Sequence, residues 1–274
     1  MSGEPPASIR ALVAALGVVD RIAHACRVVV EELVLAGVPA ARRDDVTAWC
    51  YGRRDPRSID LAVDRGLAPW EVEAFEAFPE RSRLLVGGAG LGREVRALVE
   101  RGHEVVAFEP SRTLVEAAGP ALSNAAMLVQ GSYRDLVEGT AGRVGPLRSL
   151  AGGRRFGGVL LGWGSFTHVL EDDERIALLR ACRALTDEGP IVVSFWLDWP
   201  EERGRLRLAL RRSLRAMGGH SADRLRFLPH AGFVRGTSLE DLKRLVDASE
   251  LRIAHFSPTP YPHAVLAAGR AVGT

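Results

Sequence analysis

The stretch from Arg83 to Pro110 leaves this chain few ways to fold. An apolar run, Leu84-Leu85-Val86, enters a loop carrying Gly87, Gly88, Gly90 and Gly92; Val95, Leu98 and Val99 recur at helical spacing; Gly102 turns the chain, and Val105-Val106-Ala107-Phe108 closes on Glu109-Pro110. A short apolar run, a 3.6-period segment and a second run make one β-α-β unit. Glycine at 88, 90 and 92 lets the backbone turn sharply out of the first strand and approach a ligand where any Cβ would collide. Glu109, at the carboxyl end of the second strand, can accept both hydroxyls of a ribose. The unit predicts an adenosine-type pocket, although a glycine-rich turn by itself is also compatible with a merely tight connection.

Glycine spacing narrows the ligand. A dinucleotide fingerprint wants Gly-x-Gly-x-x-Gly, and its third glycine position here is Arg93. A phosphate-cradling loop wants Gly-Lys-Ser or Gly-Lys-Thr, and the only lysine in the chain is Lys243. The Gly-x-Gly-x-Gly loop with the acid at Glu109 resembles the class I S-adenosylmethionine-dependent methyltransferases, over about residues 84–268. The resemblance implies a three-layer αβα sandwich with a mostly parallel seven-stranded sheet. It also implies S-adenosylmethionine as methyl donor, S-adenosylhomocysteine as product, and no metal. Gly88, Ala89, Gly90 and Gly92 would pass the methionine part, and Glu109 with Pro110 and Ser111 would hold the ribose. The chain departs from the family at Val86, where an acid is usual, and at Gly87, where a bulky apolar residue is usual. Either another group orients the methionine ammonium or the donor is held less firmly.

Further strands and helices alternate down the chain, as an α/β fold requires. Residues 125–129 read as a third strand, followed by a loop at 130–136 in which Ser132 and Tyr133 take the place of the family's adenine contacts, or are a plain loop pair. Gly119-Pro120 is expected to end the preceding helix. Val159-Leu160-Leu161 is a fourth, central strand. Ligands of open parallel sheets sit beyond the carboxyl ends of the strands, so Gly162, Trp163 and Gly164 should face the donor and Phe166 the acceptor. His168 is a candidate general base, since an imidazole can take a proton near neutral pH; packing or capping is its other reading, and transfer to an already nucleophilic atom needs no base. No Asn- or Asp-Pro-Pro-aromatic motif follows this strand, which argues against base methylation. A helix from Glu171 to Asp187, with Ile176, Leu179, Cys182, Arg183 and Leu185 inward, and a fifth strand from Ile191 to Trp196 complete the alternation. A helix after Ser238 and two strands, 251–256 and 263–267, end the sheet.

Residues 1–80 read as an N-terminal helical cap and 81–274 as the donor-binding domain, with a helical insertion at about 198–232. In the cap, residues 8–36 form one long or two shorter amphipathic helices, 58–63 a short one, and Pro69 opens another. Trp49, Tyr51 and Arg53 are candidates for reaching an acceptor, as are Trp199 and His230 from the insertion. The insertion is rich in arginine, which admits an anionic acceptor or a solvated face. A formal charge of +2 argues against an electrostatically driven nucleic-acid partner. Cys26, Cys50 and Cys182 lack metal or disulfide spacing, and no apolar run approaches membrane-span length, so a cytoplasmic protein is expected. The expected activity is O- or N-methylation of a small molecule, of secondary metabolism. Two alternatives stand beside it: a catalytically silent donor-binding relative, and a nicotinamide-dependent oxidoreductase, which Arg93 disfavours. The sequence leaves oligomeric state open.

Overall fold

The structure is a computed structural model and describes residues 6–53, 66–122, 125–151, 153–186, 188–198, 205–219 and 224–269. Trp199 and the helix expected over 58–63 lie outside the described residues. The apolar runs become strands β1 (Arg83–Gly87), β2 (Glu104–Glu109), β3 (Ala126–Gln130), β4 (Gly158–Leu161) and β5 (Ile191–Ser194). These five are parallel in the order β3-β2-β1-β4-β5. Beyond β5 the sheet continues with β9 (His263–Ala268), antiparallel to it, and then β8 (Leu251–Ser257), giving seven strands with β9 alone reversed.

Strand residues alternate between two cores because successive side chains point to opposite faces. Leu85 packs with Phe108, Leu136 and Val193 beneath α6 (Tyr133–Thr140), α8 (Asp172–Leu185) and α10 (Leu239–Ala248). Leu84 and Val86 pack on the other face beneath α3 (Pro69–Phe75), α4 (Arg93–Glu100) and α5 (Arg112–Leu122). α3 belongs to that second layer, since Trp70, Ala74 and Phe75 are buried in the same core as Val86.

Four local expectations are corrected. α5 runs through Gly119 and Pro120 to Leu122; Pro120 lies on the exposed side of the helix's last turn, so its missing N–H removes only one outward bond. The expected loop at 130–136 is largely helix α6, started by a reciprocal cap in which Ser132 Oγ accepts from Asp135 N at 3.2 Å and Asp135 accepts from Ser132 N at 2.8 Å. Phe195 and Trp196 fall outside β5. On α8, Arg175 rather than Arg183 is fully buried, donating to the carbonyls of Val169 and Arg235 and to Thr237 Oγ1, while Arg183 pairs outward with Glu250.

The insertion holds α9 (Arg205–Ala216) and a hairpin not expected from the sequence, β6 (Leu225–Leu228) and β7 (Gly232–Arg235). A short helix, α7 (Arg148–Ala151), lies near α6. The N-terminal helices are α1 (Ala7–Gly37), a single helix, and α2 (Arg43–Gly52). Arg207 on α9 reaches Glu31 and Glu32 of α1 at 2.8 and 3.1 Å, Arg211 reaches Glu32 at 2.8 Å, and Arg226 of β6 reaches Glu31 at 2.7 Å. These arginines therefore neither face an acceptor nor stand solvated; they clamp the insertion to α1. Burial alone raises the Glu31 carboxyl, but hydrogen bonds from Arg207 and Arg226 outweigh it and hold the group below its ordinary range. Leu35, Leu225 and Phe233 form a small core at this junction.

Candidate active site

β1 connects through α4 to β2 on one side, while β4 takes the other, so the chain's direction across the sheet reverses at β1 and β4. A crevice opens at such a point beyond the strand ends, and here it is a cavity of about 620 Å³. The glycine loop forms its floor. Gly88 has φ +68°, and a Cβ there would stand 2.9 Å from Ser165 Cβ, so only glycine fits. The amides of Gly88 and Ala89 both donate to the Phe108 carbonyl, at 3.0 and 3.1 Å, tying the loop to β2. Glu109 is buried, and its two oxygens accept from Gly90 N and Ser111 N, each at 2.9 Å. Each oxygen keeps a further lone pair for a ligand hydroxyl. Burial pushes the Glu109 carboxyl upward, and the two amides pull it back only in part.

Beside the loop, one guanidinium serves two carboxylates. Both Glu71 oxygens accept from Arg93, at 2.5 and 2.6 Å, and Arg93 also donates to Glu94 Oε1 at 2.9 Å. Glu71 is anchored further by Ala68 N at 2.7 Å. Glu94 lines the cavity, and its Oε1 would lie 3.4 Å from a Cβ placed on Gly162. Burial raises its carboxyl, Arg93 lowers it, and the charge of Glu71 raises it again, leaving it above the ordinary range. With both carboxylates ionised the cluster carries a surplus negative charge at the cavity wall. The Arg93 guanidinium sits 4.4 Å over the Trp163 ring. Trp163 has φ +43°, unusual for so bulky a residue. Its ring stacks on Tyr261 at 5.5 Å, whose hydroxyl accepts from Trp196 Nε1 at 2.9 Å.

The opposite wall joins α2, the turn at Ser165–His168 and α8. His168 Nδ1 lies 3.0 Å from the Phe233 carbonyl, which only accepts, so Nδ1 carries the proton and Nε2 accepts from the Tyr51 hydroxyl at 2.9 Å. Tyr133 donates to Ser165 Oγ at 2.5 Å, and its phenol is pushed far up by burial. Arg134 lies 2.9 Å from Glu174 and 3.7 Å from Asp44, bridging α8 and α2 at the rim.

Of the residues singled out by sequence, the cavity gathers Gly88, Ala89, Gly90, Glu109, Pro110, Ser132, Tyr133, Gly162, Trp163, Tyr51, His168 and His230. Gly92, Ser111 and Gly164 stand behind the lining, and a Cβ on Gly92 would strike Leu122 at 2.5 Å. Trp49 is exposed and packs under the Arg53 guanidinium at 4.6 Å, neither of them lining the cavity. Phe166 is core rather than acceptor wall: it is fully buried, with Arg175 5.1 Å over its ring. Sequence reasoning passed over Glu94, Ser165, Arg134 and Glu174. Glu94 had a signal, an acid in the first turn of the helix directly after the loop; the others had none. Among the described residues no group of His, Cys, Asp and Glu could hold a metal ion, and no helix is long and apolar enough to cross a membrane.

No protein-family model and no curated protein matches the sequence. Solved structures do match. The 1,6-didemethyltoxoflavin-N1-methyltransferase of Burkholderia thailandensis, with 1,6-didemethyltoxoflavin and S-adenosylhomocysteine bound, is 17% identical over 83% of this chain and 86% of its own, with a TM-score of 0.54. CalS10, an amino pentose methyltransferase from Micromonospora echinaspora involved in calicheamicin biosynthesis, solved with S-adenosylmethionine, is 16% identical over 78% and 97%, at 0.52. The CcbJ methyltransferase from Streptomyces caelestis is 15% identical over 73% and 88%, at 0.51. With seven strands, β9 alone reversed and a glycine-floored cavity at the switch point, the chain has the fold of the class I S-adenosylmethionine-dependent methyltransferases.

Proposed function

We propose that the chain transfers the methyl group of S-adenosylmethionine to an oxygen or nitrogen of a small-molecule acceptor. The observation that carries this reading is the charge of the cavity. Glu109 and Glu94 face a donor space; of the described arginines lining the cavity, Arg93 is already held by Glu71 and Arg134 lies at the rim beside Glu174 and Asp44. Such a wall attracts a ligand bearing an ammonium and a sulfonium and repels a pyrophosphate. Glu109 takes the ribose hydroxyls, Ser132 and Tyr133 border the adenine, and Trp163 lines the donor space. Glu94 takes the methionine ammonium, the role that Val86 cannot fill. The bound cofactors of the Burkholderia and Micromonospora proteins support the donor, and 1,6-didemethyltoxoflavin in the one and the calicheamicin pathway of the other support an acceptor from secondary metabolism.

The acceptor lone pair attacks the methyl carbon in line with the breaking C–S bond, whose electron pair returns to sulfur as S-adenosylhomocysteine forms. An acceptor proton passes to the Tyr51 oxygen as the Tyr51 proton moves to His168 Nε2, along the existing 2.9 Å hydrogen bond. α2 and the β6–β7 turn, through Tyr51 and His230, select the acceptor.

Titration calorimetry with S-adenosylmethionine, S-adenosylhomocysteine and NADPH tests the donor site. Micromolar binding of the first two and none of the third is expected; the reverse would refute the reading. A catalytically silent relative, suggested by the hydrogen bonds already made by both ring nitrogens of His168, would bind identically. Methyl transfer from labelled donor into a panel of phenols and amines separates the two.

A further inference from the structure

α1 spans thirty-one residues, and among the described residues its buried positions all fall in its last third. There Val28, Glu31, Glu32 and Leu35 are buried against α9 and β6. On the opposite side of the helix Ile9, Leu12, Leu16 and Val19 are exposed, and the same line continues through Ala23, Cys26, Val30 and Leu33, all exposed as well. The steps alternate three, four, three, four without a break. That is the two-in-seven period of a coiled coil, widened toward the N-terminus by the further exposed apolar residues Val13, Val18 and Ile22. A face of this size and regularity left in water marks an interaction site.

We propose that the seam pairs with the same seam of a second copy of this chain, antiparallel, about a two-fold axis level with His24 and Ala25. Charge selects the copy and the direction. Asp20 and Arg27 flank the seam on the same side, one heptad apart, and both are exposed. In an antiparallel pair that flank faces its own counterpart. When Ala23 lies opposite Cys26 of the second copy, Asp20 meets Arg27 of the second copy, and symmetry repeats the pair. The same register sets Leu16 against Leu33 and Val19 against Val30, large against large, with the small residues at the axis. In a parallel pair each flank faces the opposite one, so Asp20 would meet Ala15 and Arg27 would meet Ile22, and neither charge would find a partner.

The overlap runs from Leu12 to Gly37, roughly 39 Å of helix. The bodies lie on the far side of each helix from the seam and at opposite ends of the pair, so pairing disturbs none of the α1–α9 contacts. The interface is isologous and closes at two copies. The charged residues of this exposed part are Arg10, Asp20, Arg21 and Arg27; an anionic bilayer would meet the arginines but oppose Asp20, whereas the antiparallel pair gives Asp20 a partner.

Light scattering on the full chain, from low to high micromolar concentration, should give a dimer. Leu16→Glu, at an exposed position, should yield monomer with unchanged melting temperature and donor affinity. Asp20→Arg and Arg27→Asp should each dimerise several-fold to about tenfold more weakly alone, and mixing the two should restore pairing as a heterodimer, since both crossed contacts are then opposite in sign. A monomer throughout, including one that co-sediments with anionic phospholipid vesicles, would overturn the proposal. So would a dimer that survives Leu16→Glu, or one indifferent to the charge reversals.

Discussion

Replacing Glu94 by Gln removes one charge while keeping side-chain shape and an acceptor for Arg93. If the Glu94 carboxylate holds the methionine ammonium, the loss is that of one charged hydrogen bond, about 1.5–3 kcal/mol, which weakens S-adenosylmethionine binding roughly 10- to 150-fold. The internal control is 5′-methylthioadenosine, which keeps adenine and ribose but lacks the amino acid; calorimetry should find its affinity unchanged by Glu94→Gln. Stability should move the other way. Burial and Glu71 both disfavour the Glu94 charge, so the empty variant should melt no lower than the native protein, and donor should raise its melting temperature less. Equal weakening of methylthioadenosine and S-adenosylmethionine would refute the reasoning, because the residue would then only shape the loop. The pH dependence carries the same sign. The carboxyl lies above its ordinary value of 4.5 in the empty site, and only its ionised form meets an ammonium. Donor affinity of the native protein should therefore fall as pH drops through that raised value, starting above the usual carboxylate range, and Glu94→Gln should flatten the fall.

Glu109→Ala should abolish binding of S-adenosylmethionine and methylthioadenosine alike, distinguishing the ribose from the ammonium contact in the same calorimeter. Tyr51→Phe breaks the hydrogen bond to His168 and should lower kcat at least tenfold with donor affinity intact; an unchanged kcat would exclude the proton relay. Arg207→Ala leaves Glu31 and Glu32 under-compensated in a buried site, at a cost of about 3–5 kcal/mol or roughly 10 °C in Tm. Because Glu31 sits below its ordinary value of 4.5 when folded, its contribution is full above that pH and lost as pH falls through the folded value; native stability should decline there, and less so in Arg207→Ala. Burial pushes the Cys182 thiol up to about 12, so mass spectrometry should find it alkylated only on unfolding.

The parts of the fold legible in sequence were those fixed by local period. β1, α4 and β2 announced themselves through apolar runs, helical spacing and glycine, because both strands are buried on both faces. The β6–β7 hairpin did not. Arg226 and Arg235 interrupt its apolar alternation, and what seats it is Glu31, 195 residues away, accepting from Arg226 at 2.7 Å. Side-chain direction was equally hidden: Trp163 and Phe166 both followed β4, yet the turn sends one to the cavity and the other into the core. Trp49 and Tyr51 lie two apart on α2, so they cannot share a helix face, and only Tyr51 faces inward. The arginines of α9 read as solvated or anion-binding because their partners belong to the far end of the chain.

Val86, a departure from the family pattern, and Arg93, a departure from the dinucleotide pattern, are parts of one rearrangement on this proposal. Val86 is 1% exposed among Val95, Leu98 and Ala107, an apolar setting in which a carboxylate would be costly. The charge needed at the methionine end is then supplied one element later, from the first turn of α4, where the helix dipole favours an acid. A carboxylate so deeply buried requires a cation close by, and the adjacent residue provides it: Arg93, in the place a dinucleotide loop reserves for glycine. Arg93 would by itself cancel Glu94 and leave no net charge for the donor. Glu71, reaching from α3, accepts from both prongs of the guanidinium fork at 2.6 and 2.5 Å and returns the surplus to the cavity wall. Arg93→Gly, which restores the dinucleotide spacing, should therefore destabilise the protein and weaken S-adenosylmethionine without creating affinity for NADPH.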